Sequence, residues 1–224
     1  MEKAQIGDWL IYKNNQLIAF NKPNGMLTQG DQGEEKSLLD LAEIYSKSKL
    51  HLLHRLDRPA SGIVLLAKTN RAIRSLSQQF QDRNVQKTYL AIVKNTPPKG
   101  KDTLTHYLKR HAKSRKSLVV SKEDEEAQEA ILTYEVIGKS DNYNLLKINL
   151  QTGRFHQIRA QLAAINCPIK GDVKYGARRK NTDRSIHLHA WQLQFQHPVS
   201  DEAVQLTAAV PTDNLWQAFR EGWE

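Results

Sequence analysis

The stretch with most capacity for chemistry is His54-Arg55-Leu56-Asp57-Arg58-Pro59-Ala60-Ser61-Gly62, followed by the apolar run Ile63-Val64-Leu65-Leu66-Ala67. A carboxylate stands between two guanidiniums, and guanidinium neighbours favour the ionised form of a carboxylate. Pro59 and Gly62 turn the chain, and the apolar run leads away as a strand. On a loop braced by a buried strand, such a group is placed for chemistry rather than packing. The cluster also suits a plainer role, in which Asp57 caps a turn and the arginines meet solvent or structural carboxylates. Both readings stand at this point.

Other groups able to work with that carboxylate lie far away in sequence. Tyr89 sits in the β-rich run Lys87–Val93, and Arg154, His156 and Arg159 lie in Gln151-Thr152-Gly153-Arg154-Phe155-His156-Gln157-Ile158-Arg159. If helical spacing begins near Phe155, Arg159 lies one turn further along the same side. An arginine there either enters a pocket and pairs with a distant carboxylate, Asp57 being the natural candidate, or stays on a solvent face.

Other chemistries lack their motifs. The histidine pairs His51/His54 and His187/His189 come with no His-Glu-x-x-His or cysteine pattern, so no metal site is expected. No phosphate-cradling glycine loop is present, which speaks against a nucleotide cofactor. Ser61-Gly62 is not a Gly-x-Ser-x-Gly elbow. Cys167, the single cysteine, precedes Pro168 in an apolar segment and is expected to pack rather than react.

Several elements must position these residues. Trp9–Asn21 reads as two strands about a Lys-Asn-Asn turn, ended by a tight turn at Lys22-Pro23-Asn24-Gly25. Thr28–Lys36 reads as a polar surface loop, and Ser37 as the cap of a helix over Leu38–Tyr45. A strand over Ile63–Lys68 precedes a helix capped by Thr69 or Asn70, with Ile73, Leu76 and Phe80 on one face. The middle, Thr103–Asn149, reads as short strands at Leu118–Val120, Ala130–Ile137 and Tyr143–Leu150, with Lys122–Glu129 a solvated turn or short helix. Ile158, Leu162 and Ile165 share the face of a helix that Asn166-Cys167-Pro168 stops. Strands follow at His187–Phe195 and Leu206–Val210, and Pro211 opens a last helix burying Leu215, Trp216 and Phe219. With no repeating βαβ pattern, the expectation is one α+β domain, 1–224, around a mixed, largely antiparallel sheet with flanking helices.

The 224 residues carry a formal net charge of +9, with 39% hydrophobic and 25% charged side chains. That balance fits a globular chain and favours a polyanionic partner. No apolar stretch is long enough to span a bilayer, and the first residues lack the apolar segment of a signal peptide. One cysteine allows no internal disulfide, which points to a reducing, cytoplasmic compartment. Two basic stretches, Lys109–Lys116 and Arg178-Arg179-Lys180, have Tyr107 and Tyr175 beside them. That mixture suits RNA, or is an ordinary solvated face.

In combination and order, these segments resemble the RluA-type pseudouridine synthases over most of the chain. Asn21-Lys22-Pro23-Asn24-Gly25-Met26-Leu27 looks like the family's Lys-Pro-x-Gly motif, and His54–Gly62 like its catalytic loop. Lys87-Thr88-Tyr89-Leu90-Ala91 matches the tyrosine strand, and Thr152–Arg159 the third motif. Pro168-Ile169-Lys170-Gly171-Asp172, Leu188-His189-Ala190 and His197-Pro198 complete the set. Ala60 stands where many members have Thr, and Gln161 where many have His. Many relatives carry an N-terminal S4 RNA-binding domain; none is expected here, so the domain's own surface must bind RNA.

The resemblance implies a pseudouridine synthase fold with a central RNA-binding cleft. It implies isomerisation of uridine to pseudouridine in structured ribosomal or transfer RNA, without a cofactor, by a monomer. Asp57 would be the essential carboxylate, acting either as nucleophile at C1′ or as base at the 2′ position. Arg159 would pair with it, and Tyr89 would stack on the target uracil. Arg55 would fill the stack the flipped base leaves. Leu188, Arg58, Arg154, His156, Ile158 and Lys22 complete the expected substrate contacts. Two competing functions remain, an RNA-binding module without catalysis and a carboxylate-dependent hydrolase of small substrates.

Overall fold

A computed structural model describes residues 5–30 and 35–222, so the expected Thr28–Lys36 loop lies partly outside the described residues. In chain order its elements are β1 (Leu10–Lys13), β2 (Leu17–Lys22), α1 (Leu38–Ser46), β3 (His51–Leu52), β4 (Ser61–Ala67), α2 (Asn70–Gln81) and β5 (Gln86–Val93). Then come β6 (Lys101–His111), β7 (Lys116–Val120), β8 (Gln128–Lys139), β9 (Asn144–Leu150), α3 (Gln157–Ala164), β10 (Leu188–Gln196), β11 (Ala203–Thr207) and α4 (Asn214–Gln217). The fold is α+β with a largely antiparallel sheet and flanking helices, as expected. No described helix is long and apolar enough to cross a membrane. The chain forms two compact units: Met1–Gln86 with Ala190–Val210, and Lys87–His189 with Pro211–Glu224.

In the first unit the strand order is β1-β2-β4-β10, with β11 beside β10 and β3 beside β4. All seven residues of β4 are buried, which explains its continuous apolar run. Its register on β2 runs from Leu17 opposite Ala67 to Lys22 opposite Gly62. Leu17, Ala19, Ile63, Leu65 and Ala67 line one face and pack with Ala72 and Leu76 of α2. Thr69 caps α2 by accepting from the Ala72 N–H. Ser37 and Asp40 form a capping box at α1.

The second unit is ordered β5-β9-β8-β6-β7, each strand antiparallel to its neighbours in that order. β8, with 12 residues, is longer than expected, and β6, with 11, forms where no strand was expected. β6 hides its alternation because only Leu104 and Leu108 are apolar and buried, with His106 between them. Burial lowers the His106 pKa, so that inward position is held by a neutral imidazole rather than an aliphatic side chain. Two boundaries also differ from expectation. The last strand is Ala203–Thr207 rather than Leu206–Val210, because it follows its register on β10, Gln196 opposite Ala203. Asp213, not Pro211, starts the final helix, accepting from the Leu215 and Trp216 N–H groups. Of the three residues expected to be buried there, Trp216 and Phe219 are buried and Leu215 is half-buried.

Candidate active site

In the first unit, Asp57 begins a turn closed by the Ala60 N–H donating to the Asp57 carbonyl at 3.1 Å. Leu56 and Ala60 point inward and are buried, Asp57 is half-buried, and Arg55 and Arg58 are exposed. The loop is therefore anchored by its apolar residues and presents its charged ones.

Polar clamps fix that loop to the Lys22–Gly25 turn. The Thr28 hydroxyl donates to the Leu56 carbonyl at 2.8 Å and accepts from the Leu56 N–H at 3.2 Å. The Gly25 N–H donates to the Arg58 carbonyl at 2.8 Å, and Arg58 Nε returns a bond to the Gly25 carbonyl at 2.9 Å. Gly25 has φ +78°, which is why glycine ends this turn. Arg58 also meets Glu35 at 2.7 Å, an exposed pair of little energetic weight. His54 Nε2 accepts from the Leu65 N–H at 3.1 Å, and its ring stacks on Phe80.

Lys22 departs from the expected substrate contact. It is fully buried, and its ammonium donates to the carbonyls of Pro23 and Met26 at 2.9 Å and of Arg58 at 3.4 Å. Burial lowers its pKa to about 7, against the opposing pull of Asp57 and with a further push from Arg58. Its hydrogen bonds tie the two turns together, making Lys22 part of the loop's support.

In the second unit, Arg154, His156, Ile158 and Arg159 come together at the start of α3. Arg154 Nε donates to the Glu129 carbonyl at 3.0 Å. His156 precedes the helix in the left-handed region, φ +49°, with Nδ1 2.9 Å from the Tyr175 hydroxyl. Phe155 stacks on the His156 ring with centroids 3.8 Å apart, and Arg110 lies over Phe155 at 4.7 Å. The helix starts at Gln157, two residues later than expected, so Phe155 is outside it.

Arg159 is buried rather than on a solvent face. Its Nε and Nη2 reach the two Asp172 oxygens at 2.6 and 2.8 Å, a bidentate pair with both side chains almost fully enclosed. Asp172 was not among the expected site residues; its signal was the Gly171-Asp172 turn after Pro168. Tyr89 is buried in β5 opposite Ile148, and Leu188 opens β10 in buried surroundings.

An amide network also escaped the sequence reading. Gln157 accepts from the Thr152 hydroxyl at 2.7 Å and the Arg154 N–H at 3.0 Å, and donates to the Ile131 carbonyl and to Gln161. Gln161, fully buried, donates in turn to the Leu104 and Ala130 carbonyls at 3.0 Å. These bonds fix the turn that carries Arg154 and His156. Glutamines give no hydrophobic period, so they had no signal beyond the motif itself.

Residues 16–164 match the family model described as RNA pseudouridylate synthase. The chain belongs to the RNA pseudouridylate synthase family. With it, the chain belongs to the isomerases that convert uridine to pseudouridine in RNA. Among curated relatives, tRNA pseudouridine synthase C of Haemophilus influenzae is 32% identical over 96% of this chain and 98% of its own length. Ribosomal large subunit pseudouridine synthase D of Xanthomonas campestris is 30% identical over 95% of this chain and 69% of its own. This chain spans 62% of the tRNA pseudouridine synthase C of Pectobacterium carotovorum, at 31% identity over 96% of this chain. Among solved structures, human RNA pseudouridylate synthase domain containing 4 superposes with TM-score 0.75 at 25% identity, covering 92% of this chain and 90% of that one. The pseudouridine synthase fold expected from the motifs is therefore present.

Proposed function

We propose that this chain isomerises specific uridines to pseudouridine in structured transfer or ribosomal RNA, with Asp57 as the reacting carboxylate. The observation that carries the proposal is the Asp57 loop itself. Its backbone is clamped through Leu56 and Arg58, while Asp57 sits half-buried between exposed arginines. A carboxylate held on a rigid turn meets the positional demand of attack at C1′ and of proton removal at the 2′ position alike.

The remaining roles rest on the resemblance. Tyr89 stacks against the uracil, Leu188 packs beside it, and Arg55 fills the space the flipped base leaves. Arg159 is the arginine the resemblance assigns to the reaction; its guanidinium is fixed by Asp172, which suits an arginine whose orientation matters. Arg154, His156, Ile158 and Arg58 contact the RNA. Names of relatives point both to transfer RNA and to the large ribosomal subunit.

The test is tritium release from uridine-labelled RNA. Asp57→Asn is expected to abolish release while RNA affinity stays within about tenfold, roughly 1.4 kcal/mol. Full release by that variant would overturn the assignment of Asp57. Binding by the native chain with no release from any cellular RNA would favour a binding module instead. Turnover of free nucleosides would favour the hydrolase.

A further inference from the structure

An open groove of about 460 Å³ lies on the second unit between β7, α3 and the short turn Val173–Tyr175. That volume falls in the roughly 300–1,000 Å³ range of small-ligand sites, the scale of a single nucleotide rather than a duplex. Its floor is apolar and unusually open to solvent. Val119, on the α3 side of β7, is 43% exposed and Val173 53%, both among the most exposed large apolar side chains of the described residues. β7 is the last strand of the order, paired with β6.

The rim is cationic. Lys116 and Lys174 line the groove, and no carboxylate does so among the described residues. Lys174 is held below the ordinary lysine range by partial burial, then by the cations Arg159 and Lys116, with Arg115 adding a smaller push; Asp172 opposes them. Asp172 is already taken bidentately by Arg159. Two lysines on a rim that no carboxylate lines among the described residues are an arrangement that an anionic ligand relieves.

The groove also touches the candidate substrate residues. The Tyr175 hydroxyl at its end accepts from the Ser117 N–H at 2.7 Å and lies 2.9 Å from His156 Nδ1. Tyr175 stacks with the His156 ring edge-on and has the Lys116 ammonium 5.8 Å from its centroid. An apolar floor with lysines at the rim, joined to the turn that carries His156, fits a ligand with a planar base and a phosphate.

We propose that this groove holds one unpaired nucleotide of the RNA outside the target uridine, with phosphate on Lys116 and Lys174 and the base against Val119 and Val173. The inference rests on the reading of RNA as substrate and adds a subsite to it.

The test measures dissociation constants of the full chain against salt, using a single-stranded oligouridylate and total transfer RNA. The double variant Lys116→Ala/Lys174→Ala is expected to bind about tenfold more weakly and to lower the salt slope by roughly 0.7, the value for one phosphate contact on a single strand. Val173→Asp, an exposed change, puts a carboxylate in the floor and is expected to weaken binding by about tenfold while melting like the native chain. Unchanged affinity and slope in both variants would overturn the proposal. So would a native dimer that Val173→Asp dissolves without changing RNA affinity, since a second copy would then cover the groove. Pseudouridine formation by the native chain is scored separately. Conversion without the binding losses removes the subsite alone; binding losses without any conversion support the subsite and remove the isomerase reading.

Discussion

Gly25 and Arg58 exchange two hydrogen bonds, from the Gly25 N–H to the Arg58 carbonyl at 2.8 Å and from Arg58 Nε to the Gly25 carbonyl at 2.9 Å. Thirty-odd residues apart in the chain, the two turns behave as one piece, with Lys22 and Thr28 completing the clamp. Support for Asp57 is therefore separable from Asp57 itself, and the two can be tested apart.

Thr28 is the cleanest probe of that support. Its hydroxyl both donates to and accepts from Leu56 in buried surroundings. Thr28→Val keeps the shape and leaves the Leu56 N–H and carbonyl without that partner, a cost of about 1–3 kcal/mol. Urea unfolding should show that loss. Turnover should fall by more than RNA affinity does, because the change loosens the loop and removes no RNA contact. Native turnover in a destabilised Thr28→Val would show that the clamp serves stability alone.

Lys22 gives a pH signature. Burial holds its pKa near 7, below the ordinary lysine value of 10.5. Between those values the unfolded chain binds the proton and the folded chain does not, so stability rises with pH from about 7 toward 10 and is lowest at and below 7. The contribution is on the order of a few kcal/mol, since the carbonyls of Pro23, Met26 and Arg58 stabilise the charged form and oppose the burial. Melting temperature recorded from pH 7 to 9 should climb in the native chain. In Lys22→Met the climb should flatten, with an overall loss from carbonyls left unpaired. An equal climb in both proteins would remove Lys22 as its source.

The Arg159–Asp172 pair tests the second unit. Both side chains are enclosed, so Asp172→Asn leaves a buried guanidinium short of its counter-charge, at a cost of about 3–5 kcal/mol. Arg159→Lys keeps the charge but loses the planar fork, and should impair turnover strongly with a smaller stability loss. Thermal melts and turnover on the same preparations separate these effects. Native-like turnover by Arg159→Lys would mean that fork geometry is irrelevant to the reaction.

What the sequence made legible follows from the kind of force involved. The buried strand β4, the Ser37 and Thr69 caps and the Gly25 turn each have a local signature in apolar runs, cap residues or glycine, and each formed as expected. β6 was missed because inward His106 breaks the two-residue alternation that strand recognition depends on. Lys22 was expected among the substrate contacts through its place in the Lys-Pro-x-Gly motif, and a motif does not report burial. Only tertiary structure brings three backbone carbonyls around its ammonium. Asp172 and Gln161 act through partners many residues away, and no spacing rule reports such bonds.

Gly62 joins the Asp57 loop to β4, and its lack of a side chain is a structural requirement. Its φ is +113°, and an added Cβ would lie 2.3 Å from the Ala190 carbonyl oxygen and 2.5 Å from the Ala190 nitrogen. Both contacts are with strand backbone, which cannot swing aside like the tip of a side chain. Gly62→Ala therefore combines a backbone conformation unfavourable for alanine with displacement of β4 from β10, a loss of about 3 kcal/mol or more. Ser61→Ala, one residue earlier and also buried, adds no atoms and serves as the control. Denaturant unfolding should place Gly62→Ala far below that control. The soluble fraction of Gly62→Ala should also lose turnover, because a shifted β4 carries the Asp57 turn with it. Equal unfolding midpoints for the two variants would show that the strands part at no cost and that Gly62 does not set the loop.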